Sequence, residues 1–333
     1  MSESAGVLLV GELMEGALHG PIRHFVGRQG KRIRAGLTEL SFALCGGVGI
    51  LPSEITQSIE WLHAGSLIID DIQDDSDLRR GHATMHREIG TPLALNAGNF
   101  LYFRALEQIS SATLPAGTRA RLTAEMIRVG RVCHEGQAID IAAKLNEHDP
   151  GQWREIATAI TDQKTGSLVS LAMTMGAIAA GAGERLTNEL SKFGAKIGFA
   201  LQMRNDLEEL SRFSNHATDR FDDLRNYRVT WPWVWFAERS GEARSLELML
   251  RFESLSRRRD VDGLRRLSAE LVSVVEPFGG SEIRKSVDEP LRLLGEYVLD
   301  AEMLDALKQC LSPIHASTQE TKSPAFSPTE LMT

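Results

Sequence analysis

The chain has 333 residues, 42% hydrophobic and 25% charged, enough apolar matter for a substantial core and too much for a disordered chain. A formal net charge of -8, with no basic block, excludes a general nucleic-acid binder, so any anionic ligand must be caught by a local cluster. Cys45, Cys133 and Cys310 are widely separated, fit no zinc or redox spacing and suit a reducing, cytoplasmic setting, and the N-terminus lacks the basic-then-apolar order of a secretory signal.

Along the chain, apolar residues recur at three- and four-residue spacing and alternating runs are almost absent, which predicts an all-α fold. Breaks at 45–53, 90–92, 113–117, 146–151 and 211–219 are short and rich in turn residues, as expected of a compact single-domain helical bundle. An early helix from Ile55 through Leu62 to Ile69 delivers the stretch LIIDDIQDDSDLRRG (67–81), with five aspartates in eight positions. Helical spacing puts Asp70 and Asp74 one turn apart, about 6 Å along the axis, with Asp71 alongside. Such a pair suits magnesium, which takes a few carboxylates, keeps waters and shares phosphate oxygens. The plainer reading is a solvated acidic helix end neutralised by Arg79 and Arg80.

Further on, LVSLAMTMGAIAAGAG (168–183) is too short and too interrupted to span a bilayer and reads as a buried helix. The next helix, along Leu186, Leu190, Phe193, Ile197 and Leu201, is expected to end in a second acidic cluster of Asn205, Asp206, Glu208 and Glu209. Alone it reads as ordinary surface; beside the first, it offers the means to hold several magnesium ions around one diphosphate. The aromatic run TWPWVWF (230–236) reads as helix packing or as faces for a cation. Periodicity fails from about Ser312, so a domain over 1–311 and a disordered tail over 312–333 are expected.

The stretch WLHAGSLIIDDIQDDSDLRRGHATMH (61–86) resembles the first aspartate-rich motif of the trans-isoprenyl diphosphate synthases. Further landmarks follow in the family's order: GKRIR (30–34), GQAIDI (136–141), KTGSL (164–168), LQMRNDLEE (201–209) and DDLRNYRVTWP (222–232). The likeness spans about residues 20 to 310 and is nearest in wording to the fungal and animal geranylgeranyl diphosphate synthases. It implies a helical fold with a central cavity, in which an allylic diphosphate (dimethylallyl, geranyl or farnesyl) ionises and its carbocation is attacked by isopentenyl diphosphate. It implies magnesium ligation by Asp70 and Asp74 with Asp71 in support, and by Asn205, Asp206 and Glu209, with three ions when diphosphate is bound. Arg79, Lys164 and Arg228 would contact the allylic diphosphate, and Gly30, Lys31, Arg34, His63 and Arg80 would form the isopentenyl pocket. Thr165, Gln202 and Gln137 are further contacts, and a homodimer is implied.

Outside the resemblance, Lys31 and Arg228 would be surface groups and His63 a satisfied core histidine. The chain departs from the family's pattern where Asn205 replaces a metal-binding aspartate, which Glu209 would offset, where Arg228 replaces a lysine, and at Asn99 and Ala35. Small residues at Gly65 and Ser66 are expected to leave room for a growing tail. The alternatives are a terpene cyclase of the same fold and a non-catalytic subunit of a heteromeric synthase.

Overall fold

A computed structural model describes residues 9–28, 32–215, 221–297 and 301–315. It is helical apart from one two-residue-per-strand hairpin among the described residues. The helices are α1 (Gly20–Gly27), α2 (Ile33–Leu44), α3 (Ser53–Gln73), α4 (Met85–Ile89), α5 (Thr91–Ser111), α6 (Ala116–Ala142) and α7 (Trp153–Thr161). They continue as α8 (Ser167–Ala179), α9 (Glu184–Ser214), α10 (Asp222–Arg225), α11 (Trp231–Ser240), α12 (Glu242–Arg258), α13 (Val261–Leu294) and α14 (Ala301–His315). The chain forms two compact units, Met1–Ala35 with Pro52–Thr123 and Gly36–Leu51 with Ala124–Thr333. No helix among the described residues is long and apolar enough to cross a membrane.

The first unit is built on the pairing of α3 with α5. Phe25, Ala64, Ile68, Met85, Ala94, Ala97 and Leu101 make its core. The two helices touch backbone to backbone: a methyl group at Gly65 would lie 2.8 Å from the Gly98 carbonyl oxygen, and one at Gly98 2.7 Å from Ile69. This contact fixes where the end of α3 emerges. The hairpin β1 (Leu78–Arg79) and β2 (His82–Ala83) follows, turning through Arg80 and Gly81 at φ 53° and 79°. Two consecutive positive φ values are the pattern of a type I′ turn, whose twist matches that of paired strands; glycine meets it freely and Arg80 does not.

In the second unit α8 is buried from Leu168 to Ile178, as its sequence predicts. Close approach is achieved with glycine: a methyl at Gly176 would stand 2.2 Å from the Thr38 carbonyl oxygen on α2, and one at Gly194 2.7 Å from that of Val169 on α8. Helix α9 differs from the sequence expectation. It runs through the second acidic cluster to Ser214, so these acids lie inside the helix and the break begins later than 211. The reason is that its buried stripe continues through Leu207, Leu210 and Phe213, and Phe213 packs on Phe221 at 4.8 Å. At the other end of the unit, α14 extends past Ser312 because Ile314 is buried, while 316–333 lie outside the described residues.

The aromatic run is core. Trp231, Trp233, Trp235 and Phe236 are all buried. Trp231 Nε1 donates to Thr161 Oγ1 (2.9 Å) and Trp235 Nε1 to Glu282 Oε2 (2.7 Å), while Trp233 meets Trp153 edge-on at 5.9 Å. The run therefore serves packing, and the Arg154 guanidinium lies over the Trp231 ring at 5.3 Å.

Candidate active site

The first unit sorts its five aspartates by partner. Asp71 is 1% exposed, and Arg79 holds it from the hairpin: Nε donates to both carboxylate oxygens at 2.8 Å and Nη2 lies 2.7 Å from Oδ1. Such a fork fits a carboxylate and fixes both groups. Asp75 and Asp77 are bound by Arg87 at 2.8 and 2.9 Å. Asp70 and Asp74 stand one turn apart at the end of α3, Asp74 capping it with its N–H on the Asp70 carbonyl oxygen, and both side chains are half-buried. The Arg79 guanidinium is 3.6 Å from Asp70. Asp71 is therefore seated where it organises Arg79 and the helix end, and Asp70 and Asp74 share one face of that end.

Beside this pair lies a cationic group. Burial holds the His63 imidazole well below its usual 6.5, and the nearby charges of Arg34, Arg79 and Arg80 act in the same direction. His63 Nδ1 is buried without a hydrogen-bond partner among the described residues, so this is not the satisfied core histidine that its apolar surroundings suggest. Arg80 is itself disfavoured as a cation by burial and by Arg79, with Glu60 and Asp71 opposing that. Glu60 was not singled out from the sequence; its carboxylate also accepts from the Ala35 N–H at the start of α2 (3.1 Å), which secures the segment carrying Arg34. Arg34, Arg79 and Arg80 thus surround His63 with positive charge, a composition suited to an anion. Gly30 and Lys31, expected to belong to it, lie outside the described residues.

Gly65 does not provide the space expected of it. Its open side faces α5, where a methyl would also meet Tyr102 at 3.1 Å, so its smallness is used in helix packing.

The second unit assembles the remaining candidates around a π-helical turn, Asp162–Gly166, between α7 and α8. A π turn inserted in a helix re-aims the side chains it carries. Two neighbours press on it through glycines: a methyl at Gly198 of α9 would lie 2.6 Å from Gly166 Cα, and one at Gly136 of α6 2.6 Å from Gln163 Cβ. Thr165 Oγ1 donates to Gln202 Oε1 (2.5 Å) and Gln202 Nε2 to Asp206 Oδ1 (2.7 Å). The Trp231 N–H donates to the other Asp206 oxygen at 3.0 Å. Burial pushes the Asp206 carboxyl up to about 7; the bonds from Trp231 and Gln202 oppose the shift, and the charges of Glu209 and Asp140 add to it.

Glu209 accepts from the Asp223 N–H at 3.3 Å. Glu208 is flanked by Arg204 at 3.7 Å and Arg212 at 3.9 Å, which sets it apart from the other acids. Asn205 is exposed on α9. Lys164 donates to Asp140 Oδ2 at 2.5 Å, and Arg228 is buried with Nη1 donating to the Asp140 main-chain carbonyl and Nε 4.0 Å from its carboxylate. Asp140 is thus a central member that residue-by-residue reading passed over, although it sits within GQAIDI.

Among the described residues, no three acids, histidines or cysteines are gathered into a ready metal cage. The donor set present is pairs of carboxylates, hard oxygen ligands that fit a cation which completes its shell with water and phosphate.

A family model described as polyprenyl synthetase matches residues 15–267. The geranylgeranyl pyrophosphate synthase of Clitopilus passeckerianus is 32% identical over 69% of this chain and 65% of its own length. Geranylgeranyl pyrophosphate synthase 2 of Zymoseptoria tritici is 30% identical over 66% and 64%. The chain thus spans just under two thirds of the length of these relatives. The crystal structure of geranylgeranyl pyrophosphate synthetase from Pyrococcus horikoshii shares the fold with a TM-score of 0.77 and 22% identity, covering 94% of this chain and 96% of that one.

Proposed function

Because the chain belongs to the polyprenyl synthetase family, we propose that it is a short-chain trans-prenyltransferase that joins isopentenyl diphosphate to an allylic diphosphate, with geranylgeranyl diphosphate as product. The observation that carries this reading is the placement of the first motif: Asp70 and Asp74 lie one turn apart at the end of α3, with Asp71 alongside and Arg79 drawn onto that helix end from the hairpin.

Members of the family are generally magnesium-dependent. When bound, magnesium supplies Lewis-acid stabilisation of the charge that develops on the departing diphosphate. In the first unit Asp70 and Asp74 would hold magnesium; in the second, Asp206 and Glu209 would offer it carboxylates, with Asn205 as a neutral oxygen donor. Lys164 and Arg228 add fixed positive charge to the leaving group, and Arg79 keeps Asp70 and Asp71 in register. Electrostatic stabilisation of this preorganised kind is commonly worth about 3 kcal/mol per donor. Arg34, Arg80 and His63 receive the diphosphate of isopentenyl diphosphate. A neutral His63 donates a hydrogen bond there without adding to the repulsion among three arginines. The catalytic region is taken as residues 1–311, acting in a cytoplasmic homodimer.

The test is incubation of the purified protein with magnesium, labelled isopentenyl diphosphate and, in turn, dimethylallyl, geranyl and farnesyl diphosphate, followed by mass measurement. A C20 diphosphate from all three is expected. No coupled product, with hydrocarbon released from geranylgeranyl diphosphate alone, would overturn the reading in favour of a cyclase.

A further inference from the structure

Lys164 and Arg228 come from two separate elements, the π turn and the segment following α10, yet both end on one residue of α6. The Asp140 carboxylate takes Lys164 Nζ at 2.5 Å and lies 4.0 Å from Arg228 Nε, while its main-chain carbonyl takes the Arg228 Nη1 hydrogen. The side chains are well shielded, 26% exposed for Lys164, 15% for Asp140 and 5% for Arg228. The backbone is arranged for this meeting. Gly136, one turn before Asp140, lets the π turn close on α6. The Arg228 segment is tied to the end of α6 by the Leu145 N–H on the Tyr227 carbonyl oxygen (2.8 Å) and by Lys144 Nζ on that of Asn226 (3.1 Å).

Two cations brought this close repel one another, and in a shielded place the repulsion is weakly screened. A carboxylate between them offsets it and fixes where both point. We propose that Asp140 is a positioning residue: an internal counter-anion that holds Lys164 and Arg228 together until the allylic diphosphate displaces it. The inference rests on the reading of Lys164 and Arg228 as diphosphate ligands. It adds a cost and a benefit. The carboxylate competes with the incoming diphosphate, which weakens binding, but the cations it has aligned act at full strength when the carbon–oxygen bond breaks.

Asp140→Asn tests the carboxylate alone, because the Arg228 bond to the main-chain carbonyl survives it. Two readouts are needed: calorimetric binding of inorganic pyrophosphate to the metal-free protein, and steady-state coupling with magnesium. In Asp140→Asn, pyrophosphate is expected to bind several-fold more tightly. The value of kcat should fall about 100-fold, the scale of a misplacement near 1 Å, with KM for the allylic substrate within about 3-fold. Asp140→Glu should recover at least about a tenth of the rate. Unchanged pyrophosphate affinity together with unchanged kcat would overturn the proposal. So would a fall in both accompanied by a lower unfolding temperature and no recovery in Asp140→Glu, the pattern of a merely structural residue. If the wild-type protein couples nothing while Asp140→Asn still binds pyrophosphate more tightly, the function assigned above fails and the counter-anion role stands.

Discussion

Replacing Gly198 with alanine puts the contact between α9 and the π turn to a quantitative test. The new methyl would lie 2.6 Å from Gly166 Cα, 2.7 Å from the Thr165 carbonyl oxygen and 2.9 Å from the Gly166 nitrogen. The nearest contact is about 0.8 Å inside ordinary van der Waals separation, and all three atoms are backbone, so no side chain can swing aside. Overpacking of this kind costs about 1–3 kcal/mol, against which alanine returns up to about 1 kcal/mol of helix propensity. A net loss of about 1–2 kcal/mol is expected. Relief requires the π turn to move, and that turn carries Lys164 and Thr165, so the coupling rate should fall about 10- to 100-fold as well. The control is Gly130→Ala in α6, where nothing lies within 4 Å of the added methyl. It should gain up to about 1 kcal/mol and keep full activity. Urea unfolding of both variants beside wild type, with initial rates, makes the comparison; a Gly198→Ala protein as stable and as active as Gly130→Ala would refute the packing argument.

Asp71→Asn takes from the largely buried Arg79 fork the nearer of its two carboxylates, leaving Asp70 at 3.6 Å, and should destabilise the protein by about 3 kcal/mol in urea unfolding, near the low end for a buried pair because Asp70 and some contact with water remain. For His63, whose folded pKa lies well below the 6.5 of an unperturbed histidine, the unfolded chain takes up a proton that the folded protein refuses. Its contribution is fully present above pH 6.5 and is lost as the pH falls, so His63→Gln should flatten the decline in unfolding free energy between neutral and mildly acidic pH; an equally steep decline would show that His63 is not its source. Asn205→Asp, at an exposed position, should leave the unfolding midpoint unchanged and lower the magnesium concentration for half-maximal rate. An unaltered magnesium requirement would remove position 205 from the ligand set.

Much of this protein is legible in its sequence, because helix formation and amphipathic burial are local. The spacing from Ile55 to Ile69 dictates a helix that ends in acids, and the apolar run at 168–178 dictates one buried on every side. The order of the motifs likewise points to the family, and Asp70 and Asp74 need only the helical repeat to share a face. What the tertiary structure decided is which charges meet. Asp71 is distinguished from Asp70 by the hairpin that brings Arg79 onto it, and Lys164 and Arg228, 24 and 88 residues from Asp140, are joined to it only by the packing of separate helices. Gly65 lies where a growing tail was expected to find room, yet α5 fills that side, and α9 continues beyond its acids because Phe213 finds Phe221. Local periodicity sets the energy of each helix separately; partner choice, burial and the shift of an acid such as Asp206 depend on the field and the neighbours that only the assembled chain supplies.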